Sequence, residues 1–172
     1  MEKILLFLLV FSSCVAHAAK ADCTSTSNGP FNDASTWDCG KVPALGDDVT
    51  ISHNITLDIN LTGGSGTTGD WTVDAGASID GGSTYSITFG SGLIEINGTF
   101  EVHHLVIGNG ADIAFEASSE VAVNGNFTNL NNSDEVVVNT TNFTVTGNLT
   151  NGNGGEVSGA GMIDVTGTVT ND

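Results

Sequence analysis

The chain has 172 residues, 20 acidic against 3 basic, no arginine and a formal net charge of −17. Such a surface repels nucleic acid and anionic lipid, so neither is an expected partner. Its 39% hydrophobic content follows strand periodicity, which excludes a disordered acidic tail.

Residues 1–18 read as a secretory signal peptide: Glu2 and Lys3, then the apolar run from Ile4 to Phe11, then Ala16-His17-Ala18 as a cleavage site. That run is too short to anchor the chain permanently across a bilayer, and no later stretch predicts membrane insertion. A secreted, extracellular location at the cell surface follows as an expectation. Cys14 leaves with the signal, and Cys23 and Cys39 remain as an even pair, for which a disulfide is the natural reading in an exported chain.

Residues 19–46 hold this cysteine pair, Pro30, Pro43 and Trp37, and read as an irregular N-terminal cap. Residues 47–172 read as strands. Val49-Thr50-Ile51 opens them, and the run from Ile55 to Leu61 alternates with period two. Residues 63–70 are a loop rich in glycine, serine and threonine. Trp71-Thr72-Val73 and the run from Tyr85 to Phe89 resume the alternation.

Four related stretches follow, from Ile94 to Phe100, Val121 to Phe127, Phe143 to Leu149 and Ile163 to Val169. Each reads apolar, polar, apolar, Asn or Thr, Gly, Asn or Thr, apolar. Their glycines, at 98, 125, 147 and 167, are spaced by 27, 22 and 20 residues. A repeat of twenty-odd residues is the signature of a solenoid in which each repeat is one coil. The predicted fold is all-β: a right-handed parallel β-helix of about six coils, right-handed because parallel crossovers are. Three inward columns are expected: Ile94, Val121, Phe143 and Ile163; Ile96, Val123, Val145 and Val165; Phe100, Phe127, Leu149 and Val169. The motif glycines are expected to turn with positive φ. Asn129, Asn151 and Asn171 share one offset and predict an asparagine ladder along the axis.

The lead-in from Trp37 to Ile51, with Val42-Pro43 and Gly46-Asp47, followed by Ile55-Thr56-Leu57-Asp58, resembles the opening of many secreted bacterial surface proteins. It is also similar to that of the extracellular domain family named for its eight glycines. The resemblance spans about 25 residues. It implies a right-handed β-helix at the start of an adhesin or carbohydrate-linked surface protein.

Enzymatic activity is not expected. β-helix lyases use an arginine or lysine base, and the only lysine expected near the fold is Lys41. No cofactor is expected; Asp47 and Asp48 form an acidic pair in which one carboxylate is expected to cap a turn, a bound calcium ion being the alternative. His103 and His104 are adjacent on a strand signal, which aims them at opposite faces. Thr128, Thr150 and Thr170 form a short outward row, interrupted by Glu101, of the kind ice-binding solenoids present. Eight Asn-x-Ser/Thr sequons, at Asn54, Asn60, Asn97, Asn126, Asn131, Asn139, Asn142 and Asn148, are glycosylation candidates in a glycosylating host.

The final motif has no cap behind it in this sequence. An uncapped coil exposes strand edges and apolar side chains. The expectation is a structural protein that stacks head-to-tail into an extracellular fibre or surface layer, with Met162, Ile163, Val165 and Val169 of one copy meeting Val49, Ile51, Ile55 and Leu57 of the next. A cell-surface adhesin holding glycans near Trp71 and Tyr85 is the alternative. A polysaccharide-acting enzyme and an ice-binding protein are weaker ones.

Overall fold

The computed structural model describes residues 20–64, 69–130, 135–152 and 154–172. They wind into a six-rung parallel β-solenoid with three sheets. The first sheet runs Asp22–Thr24, Asp48–Ile51, Trp71–Val73, Gly92–Ile96, Ala111–Phe115, Glu135–Val138 and Glu156–Ser158. The second runs Gly29–Pro30, Asn54–Thr56, Ser78–Asp80, Thr99–Val102, Glu120–Val123, Phe143–Val145 and Ile163–Val165. The third begins at Leu61–Thr62 and continues through Ile87–Phe89, Leu105–Ile107, Phe127–Asn129, Leu149–Asn151 and Val169–Asn171. Every pairing within these sheets is parallel, and each strand lies on its counterpart one rung away. Most strands are three to five residues long and alternate inward apolar with outward polar positions.

The four sequence motifs are not four copies of one corner. Val121, Phe143 and Ile163 stack in the second sheet and Phe127, Leu149 and Val169 in the third. The stretch from Ile94 to Phe100 instead bridges the first sheet to the second: Ile94 lies on Trp71 and Ile113, and Phe100 on Ile79 and Val121. The residues that complete the later columns are Phe100, Val102 and Leu105. Both corners need a strand, a glycine and a strand, so the local sequence is the same and the phase is invisible. This explains the outlying step of 27.

The motif glycines also do a different job from the one expected. Among the described residues the positive-φ glycines are Gly40, Gly76, Gly82, Gly92, Gly110, Gly154 and Gly159, and none belongs to the motif. Gly98, Gly125, Gly147 and Gly167 sit where the backbone crosses the rung beneath. A Cβ on Gly147 would stand 2.5 Å from the Gly125 carbonyl oxygen, and one on Gly167 would stand 2.4 Å from that of Gly147. Close approach between rungs, not turn conformation, requires glycine there.

The cap is more regular than its sequence suggests. Asp22–Thr24 and Gly29–Pro30 add a strand to the first and second sheets. Phe31 and Trp37 close the end of the core, 5.2 Å apart edge to face, and Phe31 stacks at 5.9 Å on Trp71, whose ring meets Phe89. Trp37 Nε1 donates to the Phe31 carbonyl. The Cys23–Cys39 disulfide ties the two arms of the cap, a closure worth roughly 3 kcal/mol for a loop of this length.

Candidate functional site

Three surfaces were candidates from the sequence: the lead-in acids, the ends of the solenoid and the outward rows.

Asp47 is buried and fully engaged. Its carboxylate accepts the amides of Ala21 at 3.0 Å and Ala44 at 2.9 Å and the Lys41 ammonium at 2.6 Å. Burial opposes its charge, but these partners outweigh it and hold Asp47 below the usual carboxylate range. Asp48 turns to other groups, the Lys20 ammonium at 2.6 Å and the Asp70 amide at 2.7 Å. Asp47 caps the turn from Ala44 to Asp47 while Asp48 faces separate partners, and both acids serve as latches between cap and first rung. Among the described residues no three His, Cys, Asp or Glu side chains gather as a metal site.

The expected first-rung contact residues are corrected. Val49, Ile51, Ile55 and Leu57 are at most 1% exposed, because the cap strands and the Phe31–Trp37 plug cover them. They have no free surface to offer another copy. The last rung is the opposite case. Met162 is 58%, Val169 60% and Val157 40% exposed, and Ile163 and Val165 are half-buried. Val157, Ile163, Val165 and Val169 continue columns that are buried one rung below, at Val136, Phe143, Val145 and Leu149. Together with Leu149 and Asn151 they line a concavity of about 700 Å³.

The three asparagines come together in the third sheet. Asn129 Nδ2 donates to Asn151 Oδ1 at 2.8 Å and Asn151 Nδ2 to Asn171 Oδ1 at 2.7 Å. Asn129 is fully enclosed, so these bonds satisfy amides that would otherwise be costly to bury.

Sequence reading missed a second ladder, at the residue that precedes each third-sheet strand. Asn60 Oδ1 accepts the Ser86 amide, Ser86 Oγ the His104 amide, His104 Nδ1 the Asn126 amide, Asn126 Oδ1 the Asn148 amide and Asn148 Oδ1 the Thr168 amide, at 2.8–3.2 Å. The signal was present as Asn at a fixed offset before the strand threonine, but Ser86 and His104 disguise it. His104 works here as an acceptor. Desolvation, and then its neighbour His103, push its pKa below the ordinary histidine value. The two rings lie 3.9 Å apart between centroids. They are not on opposite faces, because they occupy the corner between Thr99–Val102 and Leu105–Ile107, where strand alternation stops.

Of the sequons, Asn54, Asn60, Asn126, Asn142 and Asn148 are exposed, Asn97 and Asn139 are half-buried, and Asn131 lies outside the described residues. Trp71 is core, 1% exposed, and Tyr85 is half-buried, so the glycan-stacking pair does not stand on one open face. The described part of the chain has no helix long and apolar enough to cross a membrane.

No family model, no curated protein and no solved structure matches this chain.

Proposed function

We propose that this chain is an extracellular, non-enzymatic β-solenoid subunit whose last rung is an assembly surface for a second copy. One observation carries the reading: the apolar columns buried on the rungs beneath lose their cover at the last rung, where Val157 and Val169 are exposed and Ile163 and Val165 half-buried. Apolar surface and open strand edges in one place favour association. The first rung lies under the cap, which favours a contact between two last rungs over the expected head-to-tail contact. Such a contact is isologous and closes as a two-fold dimer instead of growing into a filament.

Secretion is supported by the leader-like residues 1–18 and by the disulfide. A structural role is supported by carboxylates spent on amides and lysines. Sedimentation of the full chain lacking residues 1–18 tests the assembly. A dimer is expected, and Val165→Glu combined with Val169→Glu is expected to return it to monomer. A monomer at the highest soluble concentration, or filaments in electron micrographs, would refute the reading.

A further inference from the structure

The third sheet carries a row that the sequence shows only in part. Thr62 lies on Thr88, Thr88 on Val106, Val106 on Thr128, Thr128 on Thr150 and Thr150 on Thr170. The row spans all six rungs, about 24 Å at the usual strand spacing. Glu101 does not interrupt it, since that residue lies in the second sheet between Asp80 and Ala122. The one departure, Val106, keeps the branched shape and a methyl group in place of the hydroxyl.

Beside this row runs the column Asn60, Ser86, His104, Asn126, Asn148 and Thr168, locked rung to rung by the second ladder. The side chains of Asn60, Ser86, His104, Asn126 and Asn148 are held in place by backbone amides. The threonine hydroxyls are held by none: among the described residues Thr62, Thr88, Thr128, Thr150 and Thr170 have no internal side-chain hydrogen bond. The buried threonines Thr36 and Thr140 are by contrast bonded to backbone carbonyls. The face is thus a rigid frame carrying free hydroxyls and methyls at a constant repeat.

Charge is distributed in the opposite sense. The first sheet's outward side carries Asp22, Asp48, Asp70, Glu95, Asp112, Glu135 and Glu156, and the second sheet's carries Asp80, Glu101, Glu120 and Asp164. Neither column of the third sheet holds an acid or a lysine, on a molecule with 20 acids. A ligand suited to this face is uncharged, periodic along the solenoid axis and able to take hydrogen bonds while accommodating methyl groups. A polysaccharide would call for aromatic platforms. The only ring among the two columns is His104, which is engaged in the ladder.

We propose that the outer face of the third sheet binds the ordered water lattice of an ice surface. The methyls seat in the lattice and the hydroxyls bond into it, while the preformed frame removes the ordering cost of binding. The idea is independent of the last-rung contact, which lies on the end of the solenoid instead of its side.

The test uses the full chain lacking residues 1–18, produced without glycans, since sugars on Asn60, Asn126 or Asn148 would cover the face. Freezing hysteresis and inhibition of ice recrystallisation are measured for the wild type, Thr128→Tyr and Thr150→Lys, with Thr56→Tyr on the second sheet as control. The wild type and the control are expected to restrain ice growth. Each third-sheet variant is expected to lose that activity while keeping the wild-type circular dichroism, and two variants guard against one failing to fold. A folded wild type with no effect on ice would overturn the proposal. Third-sheet variants as active as the wild type would do the same, as would binding to crystalline cellulose or chitin without any effect on ice.

Discussion

At the scale of single residues, His104 shows how a polar ladder constrains protonation. Its Nδ1 accepts the Asn126 amide at 2.8 Å, which only the neutral ring can do. Desolvation and His103 hold its folded pKa below the ordinary value. The unfolded chain then binds the proton more readily than the native one between the two pKa values. Stability from this site is fully present above about pH 6.5, the unfolded value, and is lost as pH falls through the folded pKa. His104→Asn keeps an acceptor, in the manner of Asn126 and Asn148, and removes the titration. Urea unfolding from about pH 7.5 to about pH 5 is expected to show the wild type losing ground to His104→Asn as pH falls. A difference between the two proteins that stays constant with pH would rule this account out.

Structural elements depend on inward positions, and the asparagine ladder tests how one strand holds the next. Asn151 receives from Asn129 and donates to Asn171 and to the Gly155 carbonyl. Asn151→Ala removes the bond that the enclosed Asn129 amide makes to the next rung and is expected to cost about 1–3 kcal/mol. Asn129→Val with Asn151→Val removes both partners at once, so the pair is expected to cost less than the sum of its single changes. Denaturant titration of the double-mutant cycle measures this, and strictly additive costs would show that the ladder contributes nothing. The ladder was legible in the sequence because Asn129, Asn151 and Asn171 share an offset within rungs of nearly equal length. The corners were not, because Ile94 to Phe100 has the same local pattern as Val121 to Phe127 and only the neighbouring rung tells them apart. The threonine row was half legible: Thr62 and Thr88 belong to it, but the early rungs lack the motif that marks the register. The burial of Val49 and Ile51 was hidden for a similar reason, since nothing local marks Asp22–Thr24 as a strand.

For the whole molecule, stacking in register aligns like charges. Asp22, Asp48, Asp70, Asp112, Glu135 and Glu156 occupy successive rungs of one edge of the first sheet, with Leu93 between Asp70 and Asp112. Neighbours sit about one strand spacing apart, near 4.8 Å. Some of the repulsion is offset locally, because the Asp48, Asp70 and Asp112 carboxylates each accept an amide from the next rung and Lys20 pairs with Asp48. The remainder is open to screening. Raising ionic strength from about 0.01 M to about 1 M shortens the screening length from about 30 Å to about 3 Å, below the rung spacing. The melting midpoint is expected to rise over that range, and by similar amounts in calcium and magnesium salts of equal ionic strength. Asp70→Asn keeps an oxygen for the Leu93 amide while removing one charge. It is expected to melt higher than the wild type at low salt and to narrow the difference between low and high salt. A salt response unchanged by Asp70→Asn would mean that the stacked acids are not its source. A midpoint raised by calcium well beyond magnesium would reveal a specific cation site that the separate engagement of Asp47 and Asp48 does not provide.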